Sequence, residues 1–196
     1  TLDRIQSSEP VAVARAIAAT GDARRRVDGR LADLATLTLR RRGTTHVSVV
    51  DAEGTACAVT VSNGEGNGEL VDGFGFMLNN ILGEEDVNPA GSTNWPTNTR
   101  LSSMMCPTVI EHPDGSVTTL GSGGSNRIRS AVAQVVHLLC VDGVDLDAAV
   151  EAPRVHVEGA HLAFEDRFDV PTRAQLCAAY PDHRAWSRPD LFFGGV

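Results

Sequence analysis

The residues best suited to chemistry stand in one run, Gly43-Thr44-Thr45-His46-Val47-Ser48-Val49-Val50-Asp51. A glycine meets two threonines, and an apolar strand, expected to be buried, follows at once. A hydroxyl at the head of such a strand is a natural place for an N-terminal nucleophile. If the Gly43–Thr44 bond is cut, Thr44 carries both a hydroxyl and a free amine. The amine has a reference pKa near ~8, close enough to neutrality to take the hydroxyl proton. One residue then supplies nucleophile and base, the threonine/amine variant of covalent catalysis. A Thr-Thr pair opening a strand also reads as plain β-propensity, so the surrounding elements have to decide.

The chain has 196 residues, enough for one domain with a real core. A hydrophobic content of 42% with 21% charged residues marks a folded chain, not a disordered one. The net charge of −8 argues against a nucleic-acid surface and against anionic membranes. No apolar run approaches the length of a spanning helix. Thr1-Leu2-Asp3-Arg4 has no basic-then-apolar signal pattern and no initiator Met, so the native N-terminus is expected to lie upstream. Cys57, Cys106, Cys140 and Cys177 form no C-x-x-C and are expected to be buried free thiols. The histidines show no metal spacing, and neither metal nor cofactor is expected.

The elements that must position Thr44 follow from pattern. Ser8 and Pro10 open a helix whose stripe Val11, Ala14, Ile17 and Ala18 runs to Gly21. Arg24-Arg25-Arg26 reads as a solvated face, and Leu31, Leu34 and Leu37 suggest a second helix. Arg40-Arg41-Arg42 makes a basic linker into Gly43. Val47 to Asp51 and Ala56 to Val61 flank the turn Asp51-Ala52-Glu53-Gly54, a β-hairpin headed by Thr44. Ser62-Asn63-Gly64-Glu65-Gly66-Asn67-Gly68 is either an amide-presenting loop or a mobile one, and composition does not choose. Phe74 to Asn80 is expected to be extended, with Asn79 and Asn80 in a buried turn. Asn88 to Thr99 reads as loop, with Trp95 as loop anchor or substrate contact.

A second hairpin pairs Thr108 to His112 with Ser116 to Leu120 around Pro113-Asp114-Gly115. Gly121-Ser122-Gly123-Gly124-Ser125 then feeds a long helix through Ile128, Ala131, Val132, Val135, Val136 and Leu139. Such a glycine turn presents free N–H groups to an oxyanion or carboxylate, or is simply a tight strand-to-helix turn. Further on, Asp145 to Val150 predicts a short capped helix. Glu151 to His156 and Leu162 to Glu165 are expected to be extended, and Pro171 to Tyr180 an amphipathic helix. Leu191 to Val196 reads as the start of a strand, so truncation of the C-terminus is expected. The order of strands and helices is an α+β pattern with helices layered on sheet.

With these motifs in hand, the chain resembles γ-glutamyltransferase, the glutathione-hydrolysing family of N-terminal nucleophile (Ntn) hydrolases. The resemblance runs from about Ser8 to Val196. It rests on Gly43-Thr44-Thr45-His46 with Ser48-Val49-Val50-Asp51, then Leu78-Asn79-Asn80, Leu101-Ser102-Ser103-Met104, Gly121-Ser122-Gly123-Gly124-Ser125 and Glu151-Ala152-Pro153-Arg154.

That resemblance implies an αββα sandwich built from two subunits of one self-cleaving precursor. Residues 1–43 would be the helical tail of the large subunit with its linker, and 44–196 the small catalytic subunit. It implies cleavage at Gly43–Thr44, then hydrolysis or transfer of γ-glutamyl groups from glutathione and similar amides through a γ-glutamyl ester on Thr44. By the same carry-over, Ser62 is the second hydroxyl beside the nucleophile, where better-known members have Thr. Gly123 and Gly124 supply the oxyanion N–H groups. Ser102 and Ser103 bind the substrate α-carboxylate, and Glu84 holds its α-amine where the family has Asp. Arg154 is expected to hold structure.

Departures from the pattern are Gly64 for an Asn, Ile81 for a polar residue, and a short stretch from Glu84 to Arg100 without a lid tyrosine. The expected partner is the missing large-subunit portion, whose Arg pairs with the substrate carboxylate. No nucleic-acid or membrane partner is expected. Family members are often periplasmic or extracellular, and this chain shows no signal peptide. The alternatives are an acylase of the same scaffold, cephalosporin acylase-like, or an inactive fragment acting as a structural module.

Overall fold

The computed structural model describes Val11, Arg15 and residues 43–196 except Glu65, Glu85, Asp86, Pro89 and the side chain of Ser92. Val11 and Arg15 are helical, as the first stripe predicts. The second predicted helix and the two arginine runs lie outside the described residues. The chain divides into two compact units, Arg24–Ser125 and Thr1–Ala23 with Asn126–Val196.

The first unit carries two hairpins. Strand β1 (Thr44–Val50) pairs antiparallel with β2 (Ala56–Ser62), with Thr44 opposite Ser62, His46 opposite Thr60 and Val47 opposite Val59. The predicted turn closes it. Asp51 Oδ1 accepts the N–H groups of Glu53 at 3.0 Å and Thr55 at 2.7 Å, and Gly54 takes φ 87°. Those N–H donors, Thr55 first, hold the Asp51 carboxyl below its ordinary pKa. Strand β3 (Thr108–Glu111) pairs antiparallel with β4 (Val117–Leu120), and β4 packs beside β1 and β2.

Alternation along the first hairpin sorts its faces. Thr44, His46, Thr60 and Ser62 are half-buried on one face, whereas Val47, Val49, Val59 and Val61 on the other are 47–60% exposed. The strand expected to be buried is therefore open on one side, because no described layer covers it. Asp72 to Phe74 turns, and Phe76 to Leu78 then runs back along Glu69 to Val71, with one bridge between Leu70 and Met77. A 3-10 turn follows at Ile81–Gly83. Asn79 is exposed, not in a buried turn, and its Oδ1 accepts the Ile81 N–H at 3.2 Å. Trp95 anchors its loop by donating to Thr99 O at 3.2 Å. Within that loop Ser92–Asn94 forms a 3-10 turn.

In the second unit, helix α1 (Ile128–Cys140) buries Ile128, Ala131, Val132, Val135 and Val136 of the predicted stripe and half-buries its last member, Leu139. A 3-10 turn, Ser125–Arg127, stands between the glycines and this helix. Helix α2 (Leu146–Glu151) starts after Asp145, whose side chain makes no capping bond, contrary to expectation. Strands β5 (Val155–Glu158) and β6 (His161–Glu165) are antiparallel, and β7 (His183–Trp186) joins β6 in parallel. A parallel neighbour requires a crossover, which α3 (Val170–Ala179) supplies. Asp169 caps α3 by accepting the Thr172 N–H at 2.7 Å.

Val155, Val157, Leu162, Phe164 and Leu176 form the core between β5, β6 and α3. Gln134 of α1 closes the free edge of β5, donating to Val155 O and accepting from Val155 N, both at 2.9 Å. Arg154 does hold structure: it donates to Val150 O at 2.8 Å and to Gly194 O.

Two further expectations are corrected. Leu191–Phe193 is a 3-10 turn and not a strand. Phe192 stacks on Trp186 at 4.8 Å and Phe193 meets it edge-on at 5.9 Å, so packing overrides the extended preference of an apolar run. Cys57, Cys106 and Cys140 are exposed and Cys177 half-buried, all free thiols. Cys57 lies on the open face of the first hairpin opposite Val49, which is why it is not buried.

Candidate functional site

Strand pairing brings the first two predicted residues together. Thr44 and Ser62 face each other across β1 and β2, and their hydroxyl oxygens are 3.0 Å apart. Ser62 Oγ also donates to the carbonyl oxygen of Gly43 at 3.3 Å. The Gly64 N–H donates to Ser62 Oγ at 3.0 Å. A serine hydroxyl has one hydrogen and two acceptor sites. With that hydrogen on the Gly43 carbonyl, Thr44 Oγ1 is left as donor to Ser62. The result is a chain from the Gly64 N–H and the Thr44 O–H, through Ser62, to the carbonyl of the Gly43–Thr44 peptide bond.

Gly123 lies against this group. A Cβ built on it would stand 3.0 Å from Thr44 O and 3.5 Å from Thr44 Cβ, so a larger residue would push the segment away. Gly124 adopts φ 136°, a conformation that side chains disfavour. Glu84 is half-buried and comes close by another route. A Cβ on Gly64, at φ +64°, would stand 2.3 Å from Asn80 Oδ1 and 2.5 Å from Glu84 Oε1. The backbone that serves Ser62 thus abuts the predicted amine-binding carboxylate. Gly64 and Asn80 join the site through this contact, which residue types alone did not reveal.

Ser102 and Ser103 are not brought into this group. Both are exposed in the irregular stretch before β3, and Ser103 Oγ accepts the Met105 N–H at 3.0 Å. Neither hydroxyl bonds to Thr44, Ser62 or Glu84. Among the described residues no cluster of three or more His, Cys, Asp or Glu is poised to hold a metal ion. No helix among them is long and apolar enough to cross a membrane.

Comparison with known proteins gives this arrangement its context. The chain is 36% identical over 126 residues to a glutathione hydrolase proenzyme of Bacillus subtilis, a match covering 63% of this chain and 22% of that protein. It is 32% identical over 125 residues to the acylase ACY 1 proenzyme of a Pseudomonas species, covering 63% and 22%. Among solved structures, a γ-glutamyltranspeptidase of Helicobacter pylori superposes with a TM-score of 0.60 at 28% identity, covering 72% of this chain and 84% of that one. The fold is thus the α+β Ntn-hydrolase fold of these enzymes. The chain spans about a fifth of the length of the curated relatives it matches. The family model described as gamma-glutamyltranspeptidase matches residues 11–196, and the chain belongs to that family of hydrolases and transferases.

Proposed function

We propose that Thr44 is the nucleophile of a γ-glutamyl hydrolase/transferase and that it is released by cleavage of its own bond to Gly43. The observation that carries this reading is the hydroxyl chain from Thr44 through Ser62 to the Gly43 carbonyl. Thr44 Oγ1 attacks the Gly43 carbonyl carbon, whose oxygen is polarised by Ser62. The C–N bond breaks, and the hydroxyl proton ends on the freed nitrogen. Water then adds OH to the Gly43 acyl carbon and returns a proton to Thr44 Oγ1. The new α-amine takes the Thr44 hydroxyl proton for a second attack, now on a γ-glutamyl amide such as glutathione; the amide C–N bond breaks, the leaving amine receives that proton, and the ester left on Thr44 is opened by water or an acceptor amine.

In this reading Gly123 and Gly124 offer N–H groups to the oxyanion, and loss of one such donor costs about 10²–10³ in rate. Glu84 receives the substrate ammonium, and Ser102 and Ser103 its carboxylate. Residues 44–196 form the small subunit and residues 1–43 the tail of the large one. The partner is the rest of the large subunit. The exposed valines of the first hairpin support that assignment, since an apolar strip of this kind marks a surface built to be covered.

Intact-mass measurement tests the reading. Scission between Gly43 and Thr44 is expected, and its persistence in Thr44→Ala would sink it. With the missing tyrosine lid, γ-glutamyl-p-nitroanilide turnover is expected to rise little on adding glycylglycine, and a large stimulation would count against an open, hydrolytic site. Resemblance to the Pseudomonas acylase and the glycine at position 64 favour a second reading, an acylase on the same scaffold. Turnover of a cephalosporin side-chain amide in preference to the γ-glutamyl anilide would select it.

A further inference from the structure

Thr44 and His46 stand two residues apart on one face of β1. Gly121 and Gly123 stand two apart in the segment leaving β4. Each glycine meets one of the pair, in antiparallel order. Gly123 lies on Thr44, and a Cβ on Gly121 would stand 2.2 Å from both Cε1 and Nδ1 of the His46 ring and 2.6 Å from Cγ. The imidazole therefore fills the volume that any other residue at 121 would claim. Gly121 is buried. The ring is pinned at both nitrogens, Nδ1 to Thr60 Oγ1 at 2.7 Å and Nε2 to Ser48 Oγ at 2.9 Å.

We propose that His46 is a positioning residue whose ring, keyed onto Gly121, sets the register of residues 121–124 and so the placement of the Gly123 and Gly124 amides against Thr44. The proposal deepens the reading of Thr44 as nucleophile and rests on it. His46 does not touch the reacting bond. Each hydroxyl partner can donate or accept, so both bonds survive whichever ring nitrogen carries hydrogen. The imidazole is a clamp and moves no proton in the reaction. The glycine at 121 is required by close approach, not by its backbone angles, and the same holds at 123.

The test is a double-mutant cycle on scission of the full chain at Gly43–Thr44, followed by intact mass. Gly121→Ala is expected to slow scission about 10- to 100-fold, since a displacement near 1 Å costs on the order of 10². His46→Ala is expected to slow it about tenfold by the same loss of register. Combining them should restore at least about threefold over Gly121→Ala alone, because the vacated ring volume accepts the methyl group. A double variant as slow as the product of the single effects overturns the proposal. So does a changed shape of the pH–rate curve in His46→Ala, which would make the imidazole a proton-transfer group.

A second measurement is independent of scission. In the Thr44→Ala chain, His46→Ala should shift the Gly123 and Gly124 amide resonances, and unmoved resonances overturn the proposal. A parent chain that does not cut, or a Thr44→Ala chain that does, defeats the nucleophile reading instead. The amide measurement still decides on His46 in either case.

Discussion

The two units solve different problems. The second unit closes a core of its own: Val155, Val157, Leu162, Phe164 and Leu176 are each no more than 4% exposed. Its one buried carboxylate among the described residues, Glu165, is paired with Arg167 at 2.8 Å and accepts the Arg154 N–H at 3.0 Å. Among its described residues the first unit buries only Val87, Met104 and Leu120 of the large apolar side chains, and it leaves its hairpin valines open. It is held by strand pairing, by hydroxyl and backbone hydrogen bonds, and by glycines pressed against side chains. Burial confers stability in the one. Close approach confers geometry in the other, at little gain in buried area. Substitutions should therefore separate cleanly into those that remove chemistry and those that remove stability.

The largest effect is expected at Thr44. Thr44→Ala should abolish scission and lower the unfolding free energy by no more than about 1.5 kcal/mol, the loss of one part-buried hydrogen bond. Intact mass and a denaturant curve check the two halves, and parallel losses would erase the contrast between units. Leu176→Ala should do the opposite, costing about 2–5 kcal/mol of stability by opening a cavity. Calorimetry measures this, and a loss below about 1 kcal/mol would mean the core is looser than its burial implies.

His156 adds a pH dependence to the second unit. It is 3% exposed and its Nδ1 is bonded to Ser130 Oγ at 2.8 Å. Burial first, then the charges of Arg127 and Arg129, lower its pKa from 6.5 to about 4. Between those values the unfolded chain binds the extra proton, so stability is complete above pH 6.5 and falls as pH drops toward 4. The loss should approach about 3 kcal/mol, and His156→Gln should flatten it in denaturant curves run across that window.

Gly64→Ala comes next. Its left-handed backbone makes a side chain cost about 1–2 kcal/mol, and the new methyl would displace Asn80 and Glu84. A raised KM for γ-glutamyl-p-nitroanilide is expected, and an unchanged KM would remove Glu84 from the substrate site. The smallest effect belongs to the open face. Val61→Thr should change the stability of this chain by less than about 0.5 kcal/mol, because Val61 is already in water. A larger loss by thermal melting would show that the face is covered, by a second copy for example.

Most elements were legible because their signals are local. The α1 stripe keeps helical period from Ile128 to Cys140, and Asp51 to Gly54 carries its turn chemistry in the residues themselves. Strand β7 was missed because His183 to Trp186 lacks alternating apolar residues and is extended through backbone pairing to β6. The aromatic run at Leu191 was misread because stacking on Trp186, not its own preference, shapes it. The thiols were placed inside by residue type, whereas exposure depends on whether a layer covers the sheet.

The site divides along the same line. The order of residues by itself determined that a hydroxyl heads a strand, that a second hydroxyl follows the partner strand, and that glycines precede a long helix. Those are facts of residue type and spacing, which local chain geometry preserves. Only the tertiary structure decided that Ser62 reaches the Gly43 carbonyl, that Glu84 abuts Gly64, and that His46 rests on Gly121. Contacts across 19, 20 and 75 positions depend on register and on how closely two backbones approach, and no neighbouring residue encodes either.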